Sequence, residues 1–307
     1  MKKEDLQDGT ALLMQPVLPL VSMVQFLYQL SGSEAKVEDI IAEMTEPIET
    51  GYTVYAEPDK LLHRHLDQLR LLETAGTDQQ ADELVASPAI EVVDESGRPV
   101  DGVTACTALI NQRILETELE EINSRLCTPC HCRLCCIGPD KTMEQEFFEI
   151  PLQASETELF ALPRHDTSES RSMLALDSGL DSTTDDGVLQ VDGRPFYHGA
   201  DADQCGTGTP ELFHWRNGWS MILPKESSCP ALEQTGRCRV YSERPQVCRR
   251  PQIFSYILEQ LEENGKYMLR NSLLAVTDCP YVQFLQEEIA AYAAACELEL
   301  VLKANKG

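Results

Sequence analysis

Nine cysteines fall into two groups whose spacing suits them to bind metal. Five thiols lie within ten residues, and four more follow between residues 229 and 279. The nine are Cys127, Cys130, Cys132, Cys135, Cys136, Cys229, Cys238, Cys248 and Cys279. Thiolates separated by a turn or a short strand can converge on zinc or on an iron–sulfur cluster. Nine thiolates suit two four-ligand centres, or one cluster plus a zinc, with one thiol spare, and the residues alone do not separate iron from zinc.

The downstream cysteines stand in a pattern of prolines that shapes the chain around them. Pro230 and Pro280 each follow a cysteine and keep it out of a continuing helix. Residues 238–241 are typical of a short strand, and Pro245 is placed to open a helix that carries Cys248 on its first turn. A thiol at that position meets the positive end of the helix, which lowers its pKa and favours the metal-binding thiolate.

The segment CPALEQTGRCRVYSERPQVCRR, residues 229–250, resembles the YkgJ-like cysteine-cluster family. That family is described as a zinc- or iron-chelating domain and is named for a CxxCxxCC signature, and the resemblance covers roughly residues 127–285. It implies a bound metal ion or iron–sulfur cluster. Some members are flagellin lysine N-methylases, which use S-adenosylmethionine, so the resemblance also implies an alternative: a methylase-like or redox enzyme. Whether the protein is an enzyme stays open.

The upstream group departs from that signature at one position. The signature requires a cysteine at position 129, where Pro129 stands. Residues 132–136 match its second half, so either Cys127 or Cys130 supplies the first ligand. The two adjacent cysteines that end this segment project in different directions, and they either serve two centres or leave one thiol packed beneath the site.

Further residues are candidates with alternative interpretations. Three histidines are possible substitute ligands: His131, His198 and His214. Cys205 is either a reactive thiol or an ordinary surface or packed cysteine. Cys106 and Cys296 lie in helical patterns and are expected to be small core residues.

Five arginines lie within the downstream segment of an otherwise acidic chain: Arg237, Arg239, Arg244, Arg249 and Arg250. They offset the negative charge of clustered thiolates, or some of them hold an anionic group. The net charge of -26 opposes binding to nucleic acid or to an anionic membrane. A protein partner is left open.

The number of cysteines and the absence of several known sequence motifs limit the classes of protein to which this chain can belong. Twelve cysteines in 307 residues are too few for a disulfide-stapled scaffold, and the start of the chain predicts no secretory signal. We therefore expect a reducing, cytoplasmic location. No dinucleotide-binding fingerprint, P-loop or G-x-S-x-G elbow occurs in the sequence.

The periodicity of apolar residues predicts an α+β, mainly α fold. A helical N-terminal region, residues 1–104, is expected to pack on a cysteine-rich metal-binding domain, residues 105–307, with one or two β-hairpins and a mobile insertion over 164–187. Helices are predicted over 19–30, 37–44, 58–73, 105–126, 253–263 and 281–302. Residues 11–30 are apolar, but two prolines and two glutamines argue against a membrane span.

Shorter features complete the sequence prediction. Residues 90–93 and 147–152 are predicted strands. Asp192-Gly193 and Asn217-Gly218 are predicted hairpin turns. His63 and His65 are expected to be a solvated pair on a helix rather than ligands.

Overall fold

A computed structural model gives the structure of the protein. It describes residues 3–32, 35–74, 91–130, 133–143, 145–166, 190–191, 194–195, 208–215, 218–249, 252–262 and 265–304. The chain divides into two compact units. Unit 1 comprises Met1–Cys130 and Gln252–Gly307, and unit 2 comprises His131–Pro251. The division differs from the expected boundary at residue 104, because the long helix that begins at Gly102 belongs with the N-terminal helices.

Unit 1 is built from helices around one apolar core. Its helices are α1 (Gln7–Leu13), α2 (Leu18–Ser31), α3 (Val37–Glu43), α4 (Pro58–His63), α5 (Leu66–Leu69), α6 (Leu71–Thr74), α7 (Gly102–Cys130), α9 (Pro280–Phe284) and α10 (Gln286–Ala295). Helix α8 (Gln246–Arg249) lies in unit 2. The 29-residue α7 buries Leu115, Leu119, Ile122 and Leu126 at spacings of four, three and four, as its sequence predicts.

Two sheets accompany these helices in unit 1. Strands β1 (Ile48–Glu49) and β2 (Val54–Tyr55) form an antiparallel pair. The larger sheet holds β3 (Glu91–Val93), β10 (Ile253–Glu262), β11 (Lys266–Val276) and β12 (Glu299–Lys303). Strand β10 runs antiparallel to β11, whereas β12 and β3 pair with β11 in parallel. The strand expected at 90–93 is thus present as β3.

Buried polar side chains of α7 fix β10 against the helix. The Asn123 amide donates to the Ile253 carbonyl at 2.6 Å, and its oxygen accepts from the Ile253 N–H at 3.2 Å. The same oxygen accepts from the Tyr281 hydroxyl at 2.7 Å. Asn123 is fully buried, so these bonds replace the water that its amide loses.

Unit 2 contains a four-stranded sheet with its own apolar core. The sheet has the order β4 (Phe147–Leu152), β9 (Gly218–Pro224), β8 (Glu211–Trp215) and β5 (Arg164–Asp166). Strand β9 is antiparallel to both of its neighbours, and β5 is parallel to β8. A short antiparallel pair, β6 (Gln190–Val191) and β7 (Arg194–Pro195), matches the first predicted hairpin. Its turn, residues 192–193, lies outside the described residues.

Unit 2 also contains short helices, three of which lie in or beside its cysteine segments. They are α8 (Gln246–Arg249) and the 3-10 helices Leu134–Cys136, Ala154–Leu159 and Tyr241–Glu243. The second predicted hairpin is confirmed, with Trp215 paired to Gly218. The glycine therefore begins β9 instead of occupying the turn, and Asn217 lies outside the described residues.

Several predicted helices are wrong in their extent or type. Residues 253–262 form strand β10, because Ile253, Ser255 and Ile257 are buried in alternation and face α7. The predicted helix over 281–302 ends at Ala295, and Glu299–Lys303 is strand β12. The helix over 58–73 is divided into α4, α5 and α6.

Three smaller predictions are also corrected. Of residues 238–241, Cys238 forms a single β-bridge with Leu232, and Tyr241 begins a 3-10 helix, so no continuous strand forms there. Arg164–Asp166 of the expected insertion is strand β5, and residues 167–187 lie outside the described part. His63 is exposed as expected, but His65 is buried.

One helical stretch of the described chain is long and apolar enough to cross a membrane. It is Glu4–Ser31, with a mean hydropathy of 1.6, and 44% of the apolar window is buried. The stretch is interrupted between α1 and α2, and both helices place side chains such as Leu13 and Val21 in the core of unit 1. This burial matches the predicted N-terminal core helix, and the cytoplasmic location stays a prediction.

Candidate metal centre

Five of the predicted thiols lie in the described part of unit 2, and backbone bonds join the segments that carry four of them. Cys135 and Cys136 end the 3-10 helix Leu134–Cys136, and their sulfurs lie 3.8 Å apart. The Cys229 N–H donates to the Cys136 carbonyl at 2.8 Å, beside a β-bridge between Ile137 and Ser228. These backbone bonds bring together residues that are almost a hundred positions apart in the sequence.

A glycine permits this close approach. A Cβ atom on Gly138 would lie 2.0 Å from the carbonyl oxygen of Pro224, so a larger residue would push the two segments apart. The Gly138 N–H donates to Ser227 at 2.9 Å. Glycine at this position therefore lets the upstream cysteines reach the loop that follows β9.

The loop from Cys229 to Cys238 folds back on itself. Leu232 and Cys238 form an antiparallel bridge, and the Arg239 N–H donates to the Ala231 carbonyl at 2.8 Å. Gly236 adopts a φ of 84°, the left-handed conformation that favours glycine in a tight turn. This turn brings the chain at Cys238 back toward Cys229.

Cys248 reaches the same region from the short helix α8. The Cys248 N–H donates to the Pro245 carbonyl at 2.9 Å, which confirms that Pro245 directly precedes the helix. Cys136, Cys238 and Cys248 all pack against the core that contains the buried Cys229. Four separate chain segments thus deliver thiols to one core.

Burial and mutual repulsion raise the pKa values of three of these thiols. At Cys136 the largest cause is the hydrogen bond with Cys135, followed by burial. Burial is the largest cause at Cys229 and at Cys248, whose pKa is raised to about 12. The predicted lowering of the Cys248 pKa at the start of a helix is therefore wrong, because the helix is only four residues long and burial is the stronger effect. Charges on Cys135, Cys229 and Cys238 contribute to the rise at Cys248. The five sulfurs are therefore close enough to interact electrostatically, and a bound cation would relieve the repulsion among their thiolates.

Backbone amides oppose this rise at Cys229. The N–H groups of Ala231 and Leu232 hydrogen-bond to its sulfur and lower the thiol pKa. Such bonds stabilise the charged thiolate, which is the form that binds metal. The local turn therefore prepares Cys229 to act as a ligand.

Arg244 is the arginine placed deepest in this region. Its side chain is 6% exposed, and the guanidinium carbon lies 4.3 Å from the centre of the Tyr241 ring. Its positive charge lowers the pKa of Cys248, although burial there is the stronger effect. The Arg249 side chain donates to the Arg244 carbonyl at 2.9 Å. Of the five arginines, Arg244 is thus the one whose charge acts on Cys248, and charge compensation stays a prediction, while Arg250 lies outside the described chain.

Unit 1 holds three more of the predicted thiols. Cys127 and Cys130 lie three residues apart at the end of α7 and pack against the core in which Cys279 is fully buried. Cys279 directly precedes α9, whose Tyr281 bonds to Asn123, one helical turn before Cys127. Asn123 therefore helps to bring the Cys279 segment to the end of α7, and no cysteine spacing in the sequence points to it.

The remaining candidates divide into placed and undescribed residues. His214 lies on β8, where its Nδ1 atom is 3.1 Å from an Asp166 carboxylate oxygen and its ring stacks on Trp219. Cys106 and Cys296 are buried in unit 1, as expected of core cysteines. Four candidates lie outside the described residues: His131, Cys132, His198 and Cys205.

The described thiols do not form a completed coordination shell. Within the described residues, no group of three or more His, Cys, Asp or Glu side chains is arranged to hold a metal ion. No disulfide joins the ten described cysteines. The donor set nevertheless fits a thiolate-bound metal, because four thiols share one core with N–H donors and an arginine beside them, and the Cys135 sulfur lies 3.8 Å from that of Cys136.

No protein-family model, curated protein or solved structure matches this chain. The resemblance to the YkgJ-like family therefore stays a prediction from the cysteine pattern.

Proposed function

We propose that the protein binds zinc or an iron–sulfur cluster through the cysteine thiolates of unit 2. The four ligands of this centre are drawn from Cys135, Cys136, Cys229, Cys238 and Cys248. The observation that carries the proposal is the convergence of Cys136, Cys229, Cys238 and Cys248 from four chain segments on one small apolar core. Thiols that served only to fill a core would not need to lie where their charges interact.

The proposal extends to unit 1 as a separate set of ligands. Cys127, Cys130 and Cys279 lie in that unit, so the eight described ligands divide as three in unit 1 and five in unit 2. This division supports two centres over one, as the count of thiolates allows. Cys132 is assigned to neither set.

The metal would tie together distant parts of the chain in unit 2. When bound, it would supply either a structural crosslink, if zinc, or a redox-active cluster, if iron. The protein contributes N–H donors to Cys229, the positive charge of Arg244, and a backbone that already joins the Cys136 and Cys229 segments.

The proposal is tested by replacing ligands and core cysteines separately. Cys238→Ser and Cys248→Ser should each lower the bound metal and destabilise unit 2, because the site is left incomplete. Cys106→Ser and Cys296→Ser are the matched controls and should keep the full metal content. Elemental analysis of the four purified variants decides, and equal metal content in all of them would contradict the assignment.

A further inference from the structure

Helix α2 presents a second apolar face that the core of unit 1 does not use. Its inner face buries Leu20, Val21 and Val24. On its outer face, Met23, Phe26 and Leu30 are 36%, 58% and 68% exposed. These three residues are three and four positions apart, so they form one stripe along the helix. An exposed apolar stripe of this kind marks an interaction surface.

The surroundings of the stripe determine what kind of partner fits. Helix α2 contains no Asp, Glu, Lys, Arg or His among its 14 residues. The neighbouring α3 packs against it and buries Val37 and Ile41, while its exposed residues include Asp39 and Glu43. The stripe therefore lies on an uncharged helix beside an acidic one, in a chain whose net charge is -26.

We propose that this face of α2 binds a basic amphipathic helix of another protein. Its apolar side chains would lie along Met23, Phe26 and Leu30, and its lysines or arginines would face the acidic residues of α3. Recognition of an amphipathic helix through anchors at i, i+3 and i+7 is a common mode of binding. The proposal is independent of the proposed metal sites.

Charge disfavours the other two occupants of such a face. A second copy of this chain would bring the same acidic α3 and the same net charge to the contact, so the two copies would repel each other. A helix that binds anionic lipid carries lysine or arginine on its polar face, and α2 carries neither. Three exposed side chains are also far fewer than a homodimer contact of about 800 Å² per partner requires.

The test uses a labelled peptide as the probe. A fluorescent 18-residue helical peptide, with leucine on one face and lysine on the other, is titrated with the full-length protein and followed by anisotropy. A peptide of the same composition in scrambled order is the control for charge alone. We expect the amphipathic peptide to bind at least tenfold more tightly than the scrambled one, and more weakly as salt is raised.

Variants on exposed positions of the same helices locate the binding. The double variant Phe26→Ser, Leu30→Ser should weaken binding at least tenfold, and Gln29→Ser, on an exposed position of the same helix, should leave it unchanged. Asp39→Lys with Glu43→Lys should weaken binding of the basic peptide. All these positions are exposed, so the fold should persist, and thermal unfolding checks it.

Other results would overturn the proposal. Equal binding by the wild type and the Phe26→Ser, Leu30→Ser variant would place the peptide elsewhere. If the wild type binds no peptide but self-associates, and the Phe26→Ser, Leu30→Ser variant does not self-associate, the face of α2 would bind a second copy of the chain. Binding to phosphatidylcholine vesicles that depends on the same two residues, again without peptide binding, would assign it to lipid.

Discussion

Glu118 is a carboxylate on α7 whose ionisation is set by the fold. It accepts hydrogen bonds from the Val17 N–H at 3.0 Å and the Tyr292 hydroxyl at 2.6 Å. The residue as a whole is partly exposed, but burial of its carboxyl group is the largest cause that raises its pKa, to about 7. The charge of Glu121 also raises it, while the two hydrogen bonds act in the opposite direction.

Three further ionisable groups, Tyr55, Tyr292 and Cys296, lie around Glu118. Tyr55 and Cys296 lie near enough for the Glu118 charge to raise their pKa values, although burial is the main cause at each. The pKa of Tyr292 is also raised well above its usual value, chiefly by burial. Glu118 is therefore the group of this cluster that changes charge near neutral pH.

Replacing Glu118 with glutamine should remove a pH dependence of stability. The folded-state pKa is raised, so the native state binds more protons than the unfolded state between about pH 4.5 and about pH 7. The contribution of Glu118 to the free energy of unfolding is full below about pH 4.5 and is lost as the pH rises to about 7. The loss is roughly 3 kcal/mol, because each pKa unit corresponds to about 1.36 kcal/mol. The glutamine oxygen can still accept from the Val17 N–H, and its NH2 group can donate to the Tyr292 hydroxyl oxygen in place of the bond that Glu118 accepts.

The measurement is urea unfolding of both proteins at about pH 5 and about pH 7.5. Glu118→Gln should gain stability relative to the wild type on going to the higher pH. A difference between the two proteins that does not change with pH would show that Glu118 keeps an ordinary pKa.

For single residues, the sequence identifies candidate ligands better than it predicts how deeply a side chain is buried. The spacing of the cysteines identifies the candidate ligands, because thiols in such clusters have few other uses. It does not distinguish His63, which is exposed, from His65, which is buried, since both stand in one helical pattern. Arg244 could be named as one of five charges, but its burial depends on contacts that only the folded chain supplies.

Among the elements, α7 has the largest role in organising unit 1. Its apolar spacing predicts it from residue 105 to 126, and the structure extends it to Cys130. Its sequence does not reveal that Asn123 and Gln112 bond to β10. The Gln112 oxygen accepts from the Ile257 N–H at 2.9 Å. Polar residues on a buried helical face are informative only once the partner strand is known.

Substitution of Asn123 tests this attachment. Asn123→Leu fills a similar volume but leaves the N–H and C=O groups of Ile253 and the Tyr281 hydroxyl without their bonds. Unfolding should become easier by about 3 kcal/mol, because each buried polar group left unpaired costs about 1–3 kcal/mol. Chemical denaturation measures the loss.

A control on the same helix makes the result specific. Thr117→Ala changes an exposed residue of α7 and should alter stability by less than about 0.5 kcal/mol. An Asn123→Leu protein as stable as this control would mean that the Asn123 bonds do not hold β10 to the helix.

Strand β10 shows why the sequence can predict a helix where a strand forms. The segment IFSYILEQLE contains leucine, glutamate and glutamine, which favour helices, and it was predicted as one. Its alternation of buried residues and its antiparallel pairing with β11 from Ile253 to Glu262 override that preference. Pairing between strands that are distant in the sequence leaves no local pattern, so the sequence does not predict the four-stranded sheet of unit 1.

For the molecule as a whole, the α+β class follows from the sequence, but the division into units does not. The first unit takes its strands from both ends of the chain, since β3 lies before α7 and β10 to β12 follow unit 2. A linear pattern of composition shifts cannot reveal such an insertion. The cysteine segments join across unit 2 because β9 leads the chain to Cys229 beside Cys136.

The two units should respond differently to removal of metal. Among the described residues, the cluster that contains Cys229 has eight buried members, against 38 in the core of unit 1. A small core depends more on a crosslinking metal for its stability. Chelation should therefore abolish hydrogen-exchange protection in β9 while residues 105–119 of α7 stay protected. Equal loss in both segments would contradict this independence.

The central claim is that the clustered thiols bind metal, and one measurement addresses it most directly. Metal and acid-labile sulfide are determined per chain on wild-type protein purified without oxygen. We predict at least about one zinc ion per chain, or about four iron atoms per chain with an equal amount of acid-labile sulfide. Less than about one tenth of an equivalent of both metals, with the thiols of unit 2 still reduced, would contradict the account.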